Sequence, residues 1–293
     1  MTESLMKLSA CIEIAAAQLE AAGVFFGHGT DNAWDEAVWL VLYALGIPVG
    51  EEADLNMPVD SAQQTAINTL LQQRIESRKP AAYLTGTAWF AGMPFHAAEG
   101  VIVPRSHIGG FLLENGRPWI QPEKVKYILD LCTGSGCIAV AAGITFPEAH
   151  VDATDIAPLA LVLARKNIKE YKMENRVQLI EADMFKNLSG IYDLILSNPP
   201  YVPAGEIGHF PAEYQHEPTA AFDGGEDGLD FVHRILAAAS RFLAPEGHIV
   251  VEVGESWTTL EQAYPGVAFN WVETGVEDSG LFVMSKRELD QYF

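Results

Sequence analysis

Cysteine is scarce in this chain of 293 residues, where only Cys11, Cys132 and Cys137 occur. An odd and sparse set builds no disulfide framework. Cys132 and Cys137 have no His or Cys neighbours at zinc-ligand spacing, so no metal is expected. Basic residues are also few: 18 Lys and Arg stand against 39 Asp and Glu, a net charge of -21. Proteins that grip a nucleic-acid backbone carry a basic face, because neutralised phosphates supply most of their affinity. The mean field of this chain repels phosphate, so no direct nucleic-acid partner is expected. Acidity of this size serves solubility, and it also steers in a basic macromolecular partner. Long hydrophobic runs are missing too. The best, "AVWLVLYALGIPVG", is too short to span a bilayer. The opening "MTESLMKLSACIEIAAAQLE" carries Glu3, Glu13 and Glu20 and lacks the basic start and apolar run of a signal peptide. These readings predict a soluble, cytoplasmic protein without a membrane partner.

What is present is a hydrophobic content of 49%, ample for a large core. Residues 1–80 read as a helical domain. "SLMKLSACIEIAAAQLEAAG" has helical spacing and stops at Gly23; "TDNAWDEAVWLVLYALG" opens on cap residues and stops at Gly46; "SAQQTAINTLLQQRIESRK" ends before Pro80. Strands are not expected there. Residues 81–104 read as a hairpin or linker, from their Gly, Pro and aromatic punctuation. From 105 to 293 strands alternate with helices. "VKYILDLC", "HVDATDI", "RVQLIEAD", "YDLILSN", "GHIVVEVG", "VAFNWVET" and "GLFVMSK" read as strands, and "GCIAVAAGIT", "PLALVLARKNIKEY", "GLDFVHRILAAASRFL" and "SWTTLEQAY" as helices. That alternation predicts an α/β fold with a mostly parallel sheet covered on both faces. The short "GVEDS" connection between the last two strands favours one antiparallel edge pairing.

The first strand ends at Asp130 and runs into "CTGSG", a turn holding Thr133, Gly134 and Gly136, before a helix. Ligands of open parallel sheets bind outside the carboxyl ends of the strands. The turn is too short for a phosphate loop and has no Lys after it. The dinucleotide fingerprint is also absent, because its third glycine is missing. Taken alone, such a turn also serves merely to join strand to helix. The acid before it favours a ligand that is cationic or rich in hydroxyls. Asp155 ends the second strand, where a carboxylate can accept from both ribose hydroxyls. Asp183 follows the third, placed to accept from an adenine amino group, with Met184 and Phe185 as apolar walls. Single acids at strand ends are common helix caps; three on one rim are harder to explain that way.

The fourth strand stops at "SNPPY". Pro199 and Pro200 cannot donate to a ladder and have fixed φ. The Asn198 side-chain carbonyl and the Pro199 carbonyl can together accept both hydrogens of an –NH2 group, with Tyr201 beside a planar amide or base. A planar nitrogen is a weak nucleophile. Two preplaced acceptors hold it, favour developing positive charge and aim its lone pair at an electrophile. The neighbouring pocket suits an adenosine-bearing cation. S-adenosylmethionine is such a cation, and its sulfonium methyl needs no metal.

On "FFGHGTDNAWDEA", "VIVPRS", "LDLCTGSGCIAVA", "SNPPYV" and "EYQHEPTAAFDGGEDGL" the chain resembles the class I S-adenosylmethionine-dependent methyltransferases. Among these it is similar to the protein-(glutamine-N5) methyltransferases, on the branch that modifies a large-subunit ribosomal protein. The resemblance implies a Rossmann-like seven-stranded sheet with a small N-terminal helical domain that recognises the substrate. It implies that Thr133, Gly134 and Gly136 pack against the cofactor, with Asp130 at the turn. Asp155 takes the ribose, and Asp183 with Met184 the adenine. Asn198, Pro199, Pro200 and Tyr201 hold the glutamine amide, and Arg105 helps form the site. The product is S-adenosylhomocysteine, and the partner is a basic ribosomal protein. The Asn-Pro-Pro-Tyr motif alone leaves open a release-factor glutamine methyltransferase or an adenine amino methyltransferase acting on nucleic acid. The "GHGTDNAWDEA" stretch points to the ribosomal-protein branch. Two departures stand out after "VPRS". His107 replaces a proline, and Gly110 replaces a carboxylate expected near the cofactor's amino-acid end. His107, His209 and His216 read as incidental histidines, and "ARKNIKEYK" as a solvated helix face. No general base stands out.

Overall fold

The computed structural model describes residues 6–48, 52–273 and 279–293. The chain forms two compact units. One holds residues 1–88 together with Pro211–His216, and the other holds Trp89–Phe210 and Glu217–Phe293.

The first unit is built on α1 (Leu8–Ala21), α2 (Ala33–Ala44), α3 (Ser61–Ser77) and the short α4 (Ala81–Thr85). Their ends are chemically marked. Asn32 caps α2 by accepting from the Asp35 N–H, and Asp60 with Gln63 forms a capping box on α3. Two short strands, β1 (Met6–Lys7) and β2 (Pro58–Val59), pair antiparallel. They correct the expectation of a strand-free region; two residues are too few to leave a periodic signal. Arg74 is fully buried at the centre of a polar network. Its guanidinium donates to Glu36 at 2.8 Å, Glu213 at 3.3 Å and the Phe25 carbonyl at 3.0 Å. Thr30 donates to Glu36, and the Phe25 N–H to Glu213. The "FFGHGTDNAWDEA" stretch thus supplies the capping residue of α2 and most of the partners of Arg74.

Strands β3 (Thr87–Phe90) and β4 (Met93–His96) form a two-stranded sheet, and α5 (Ile108–Leu113) follows. The second unit is organised on seven strands: β5 (Tyr127–Leu131), β6 (His150–Asp155), β7 (Val177–Glu181), β8 (Tyr192–Ser197), β9 (Leu243–Glu252), β10 (Asn270–Trp271) and β11 (Leu281–Ser285). Their order is β10-β11-β9-β8-β5-β6-β7. The five strands from β9 to β7 are parallel. Strand β11 runs antiparallel to both β9 and β10, so there are two antiparallel pairings where one was expected. The segment read as "VAFNWVET" pairs only through Asn270 and Trp271. The "GVEDS" connection lies largely outside the described residues.

Side chains alternate between the two faces, as strand geometry dictates. Ile128, Leu194, Leu196 and Val250 join a core under α6 (Cys137–Thr145) and α7 (Pro158–Glu170). Leu129, Leu131, Ile195, Ile249 and Val251 join a core on the opposite face with α9 (Asp230–Ala239), α10 (Trp257–Ala263) and α11 (Lys286–Tyr292). One-turn α8 (Ala204–Ile207) follows the Pro-Pro bend. Among the described residues no helix is long and apolar enough to cross a membrane.

Candidate active site

The sheet reverses direction of growth at β5, with β6 on one side and β8 on the other. This is the switch point at which open α/β sheets bind ligands. Register fixes what meets there. Leu131 pairs with Thr154 and with Ser197, Asp155 with Glu181, and Ser197 with Val251. The carboxyl ends of β5, β6, β7, β8 and β9 therefore share one rim. The Ser197 hydroxyl donates to the Leu131 carbonyl at 3.1 Å and locks the ends of β8 and β5 together.

Asp130 is fully buried, on the face it shares with Ile128. Its Oδ2 accepts from the Thr133 hydroxyl at 2.5 Å, while its Oδ1 is buried with no hydrogen-bond partner. Burial pushes its carboxyl up to about 7, against the lowering effects of the Thr133 hydroxyl and the Ala139 N–H. The turn backbone then passes through Gly134 at φ +54, where the Gly134 N–H donates to Asp155 Oδ2 at 2.8 Å. Asp155 Oδ1 accepts from the Ala157 N–H at 2.9 Å. Burial raises the Asp155 carboxyl as well. Gly136 answers to a different demand. A Cβ there would lie 3.0 Å from Ala164 Cβ, so its bareness lets α7 approach the turn.

The third acid has a counter-ion. Asp183 is partly exposed and ion-paired with Arg234 at 2.5 Å. The apolar walls expected beside it are Met184 and Phe185. Both are buried in the core, Met184 against the Cys132 sulfur and Phe185 stacked on Phe242. The rim's exposed apolar side chain is Ile156, 67% accessible and directly after Asp155. Ile156 is not among the residues expected from the sequence, although an apolar residue following the acid at a strand end is a signal.

At the bend Pro199 and Pro200 are buried and Asn198 is half-buried. Asn198 Nδ2 donates to the Arg105 carbonyl at 3.2 Å. That bond assigns the amide's orientation: its Oδ1 is left as the acceptor, because the reverse would set oxygen against oxygen. The Arg105 side chain points elsewhere, in a two-pronged pair with the buried Glu217 at 2.9 and 2.7 Å. Glu217 also accepts from the Val103 N–H at 2.7 Å. Arg105 therefore meets Asn198 through its backbone. The Tyr201 hydroxyl donates to Glu252 at 3.3 Å, and its carbonyl accepts from Ser256 at 2.8 Å. The segment after the bend is held by "FDGG": Val202 bridges Asp223, and the Ala204 N–H donates to the Gly225 carbonyl. Among the described residues no group of three His, Cys, Asp or Glu is arranged to hold a metal.

A family model described as Methyltransferase small domain matches residues 112–210. A ribosomal protein uL3 glutamine methyltransferase from Neisseria gonorrhoeae is 43% identical over 98% of this chain and 97% of its own length. One from Bordetella pertussis is 41% identical over 98% of each. Among solved structures, the hMettl16 catalytic domain in complex with MAT2A 3'UTR hairpin 6 superposes with a TM-score of 0.52. It is 15% identical and covers 82% of this chain and 85% of that one, a likeness of fold alone. Taken with the rim of five strand ends and the Asn-Pro-Pro-Tyr bend, these relationships place the chain in the family of ribosomal protein uL3 glutamine methyltransferases.

Proposed function

We infer that this protein transfers a methyl group from S-adenosylmethionine to the side-chain amide nitrogen of a glutamine in ribosomal protein uL3. The residues at the rim fit such a cofactor. The unpartnered Oδ1 of Asp130 is a buried acceptor beside the turn, suited to a cationic ligand. The bare Cα of Gly134 allows close backbone approach. Asp155 keeps acceptor capacity for ribose hydroxyls beyond its bonds to the backbone N–H groups of Gly134, Ile156 and Ala157, Ile156 offers an apolar face, and Asp183 retains its second oxygen for an amino group. When bound, S-adenosylmethionine supplies an electrophilic methyl on a sulfonium.

The protein's own task is to present the nitrogen. Asn198 Oδ1 and the Pro199 carbonyl accept the two amide hydrogens, and the proline pair makes both acceptors rigid. The nitrogen gains positive charge as it is methylated, and those acceptors strengthen at that moment. No side-chain base is needed, because the methylated nitrogen is acidic enough to lose its proton to water. The 39 Asp and Glu against 18 Lys and Arg support attraction of a basic ribosomal protein.

The observation that carries this reading is the hydrogen bond from Asn198 to the Arg105 carbonyl, which leaves an acceptor where a carboxamide donor is to be held. Incubation with labelled cofactor and unmodified uL3, followed by mass spectrometry of the labelled residue, tests it. Asn198→Ala should fold and bind S-adenosylhomocysteine but lose transfer by about 10²–10³-fold. Undiminished transfer would reject the role given to Asn198.

A further inference from the structure

We propose that Glu252 is a positioning residue for methyl transfer, whose carboxylate fixes the Tyr201 wall of the amide clamp to the Ser106–His107 turn. Through that turn it also fixes the Arg105 carbonyl that orients Asn198. The proposal deepens the reading above and rests on it.

Glu252 is the last residue of β9 and is 3% exposed. The pairing of Val251 with Ser197 sets it alongside Asn198 on the rim. Its Oε2 accepts from the Ser106 hydroxyl at 2.5 Å and the His107 N–H at 2.8 Å. Its Oε1 accepts from the Tyr201 hydroxyl. The three donors come from two segments separated by 94 residues, from His107 to Tyr201, and all three are neutral.

Burying a carboxylate on neutral donors is a costly way to join two loops. Burial raises its carboxyl above the ordinary value, against the lowering effects of Ser106, the charge and N–H of His107, and Tyr201. What the arrangement achieves is geometric. The Arg105 carbonyl precedes Ser106 directly, so the turn cannot shift without moving the partner of Asn198. Tyr201 is gripped from its other side too, since a Cβ at Gly254 would lie 2.7 Å from its ring. Both walls of the clamp thus refer to one carboxylate. Misplacement of a reacting group by about 1 Å can cost about 10²-fold in rate.

The test compares Glu252→Gln, Tyr201→Phe and their combination with the unaltered protein. Each is assayed for methyl transfer to uL3, for S-adenosylhomocysteine affinity by calorimetry and for melting temperature. Glu252→Gln should lower kcat by roughly 10–100-fold. Its cofactor affinity should hold, and its melting temperature should stay level or rise. The double variant should lose little more than Glu252→Gln alone, because the two act through one bond. Full kcat in Glu252→Gln, or losses that multiply in the double variant, would overturn the proposal. Should Glu252→Gln fail to fold, Ser106→Ala and Tyr201→Phe carry the same test with the carboxylate in place. Each should lower kcat several-fold at an unchanged melting temperature, and wild-type rates in both would overturn the idea. If the unaltered protein does not methylate uL3, the functional reading fails instead, a result separate from all of these.

Discussion

At the scale of single residues, two buried charges make opposite demands. Asp130 has its carboxyl raised to about 7 by burial, while an unfolded aspartate titrates near 3.9. Between those values the folded chain keeps a proton that the unfolded chain has released. Stability from this site is therefore present at low pH and is lost as pH rises toward 7. The effect is on the order of 4 kcal/mol. Asp130→Asn should raise the melting temperature of the cofactor-free protein at pH 8 and change it little at pH 4. Arg74 is the converse case, a buried cation whose partners Glu36 and Glu213 are themselves 2% exposed. Arg74→Met would remove the ion-pair partner of Glu36 and leave Glu213 with only Arg78, at 3.6 Å. A loss of about 3–5 kcal/mol is expected in a denaturant titration monitored in the helical unit.

At the scale of elements, Gly254 and α11 make distinct predictions. Gly254 sits at φ +48 just past β9, with the Tyr201 ring where a side chain would go. Gly254→Ala should push that ring off Glu252. It should lower kcat about tenfold or more and cost about 1–3 kcal/mol in thermal unfolding. Ser285 and Glu288 form a capping box that starts α11, so Ser285→Ala should cost about 1 kcal/mol and leave methyl transfer unchanged.

The same scale separates what was legible in the sequence from what was not. Strands β5, β6, β7, β8 and β9 and their helices announced themselves through apolar runs broken by Gly, Pro and Asp. Helix α11 did not, since only Leu289 of its seven residues is buried; the Ser-x-x-Glu spacing was its one signal. Asn198 and its prolines were legible because a Pro-Pro break is rare in a core strand. Glu252 ends a strand as Asp155 does and Asp130 nearly does. It was passed over because its neighbour β8 became known only from strand order. The bond of Arg105 to Glu217 spans 112 positions, and no local pattern carries that.

At the scale of the whole molecule, charge is the lever. With a net charge of -21, encounter with the basic substrate proposed above should be fast in dilute buffer and slow in salt. Raising ionic strength from 0.05 to 0.5 M shortens the screening length from roughly 14 to about 4 Å. The apparent KM for uL3 should then rise by about tenfold or more, as steered associations do. The KM for S-adenosylmethionine should move far less, since that ligand carries a single net positive charge. Steady-state kinetics across a salt series would decide this. Parallel curves for both ligands would count against steering by the protein's overall field.

Cys132 shows what else the acidic rim accomplishes. This thiol lies on the glycine turn against Met184, and burial together with Asp155, Asp130 and Asp183 holds its ionisation far above the ordinary range. Thiolates, not thiols, are readily alkylated. An enzyme that stores an alkylating agent beside a sulfur atom risks damaging itself. Here the carboxylates proposed to face the cofactor also help, after burial, to keep that sulfur protonated. Iodoacetamide should accordingly modify Cys132 far more slowly than free cysteine at pH 8.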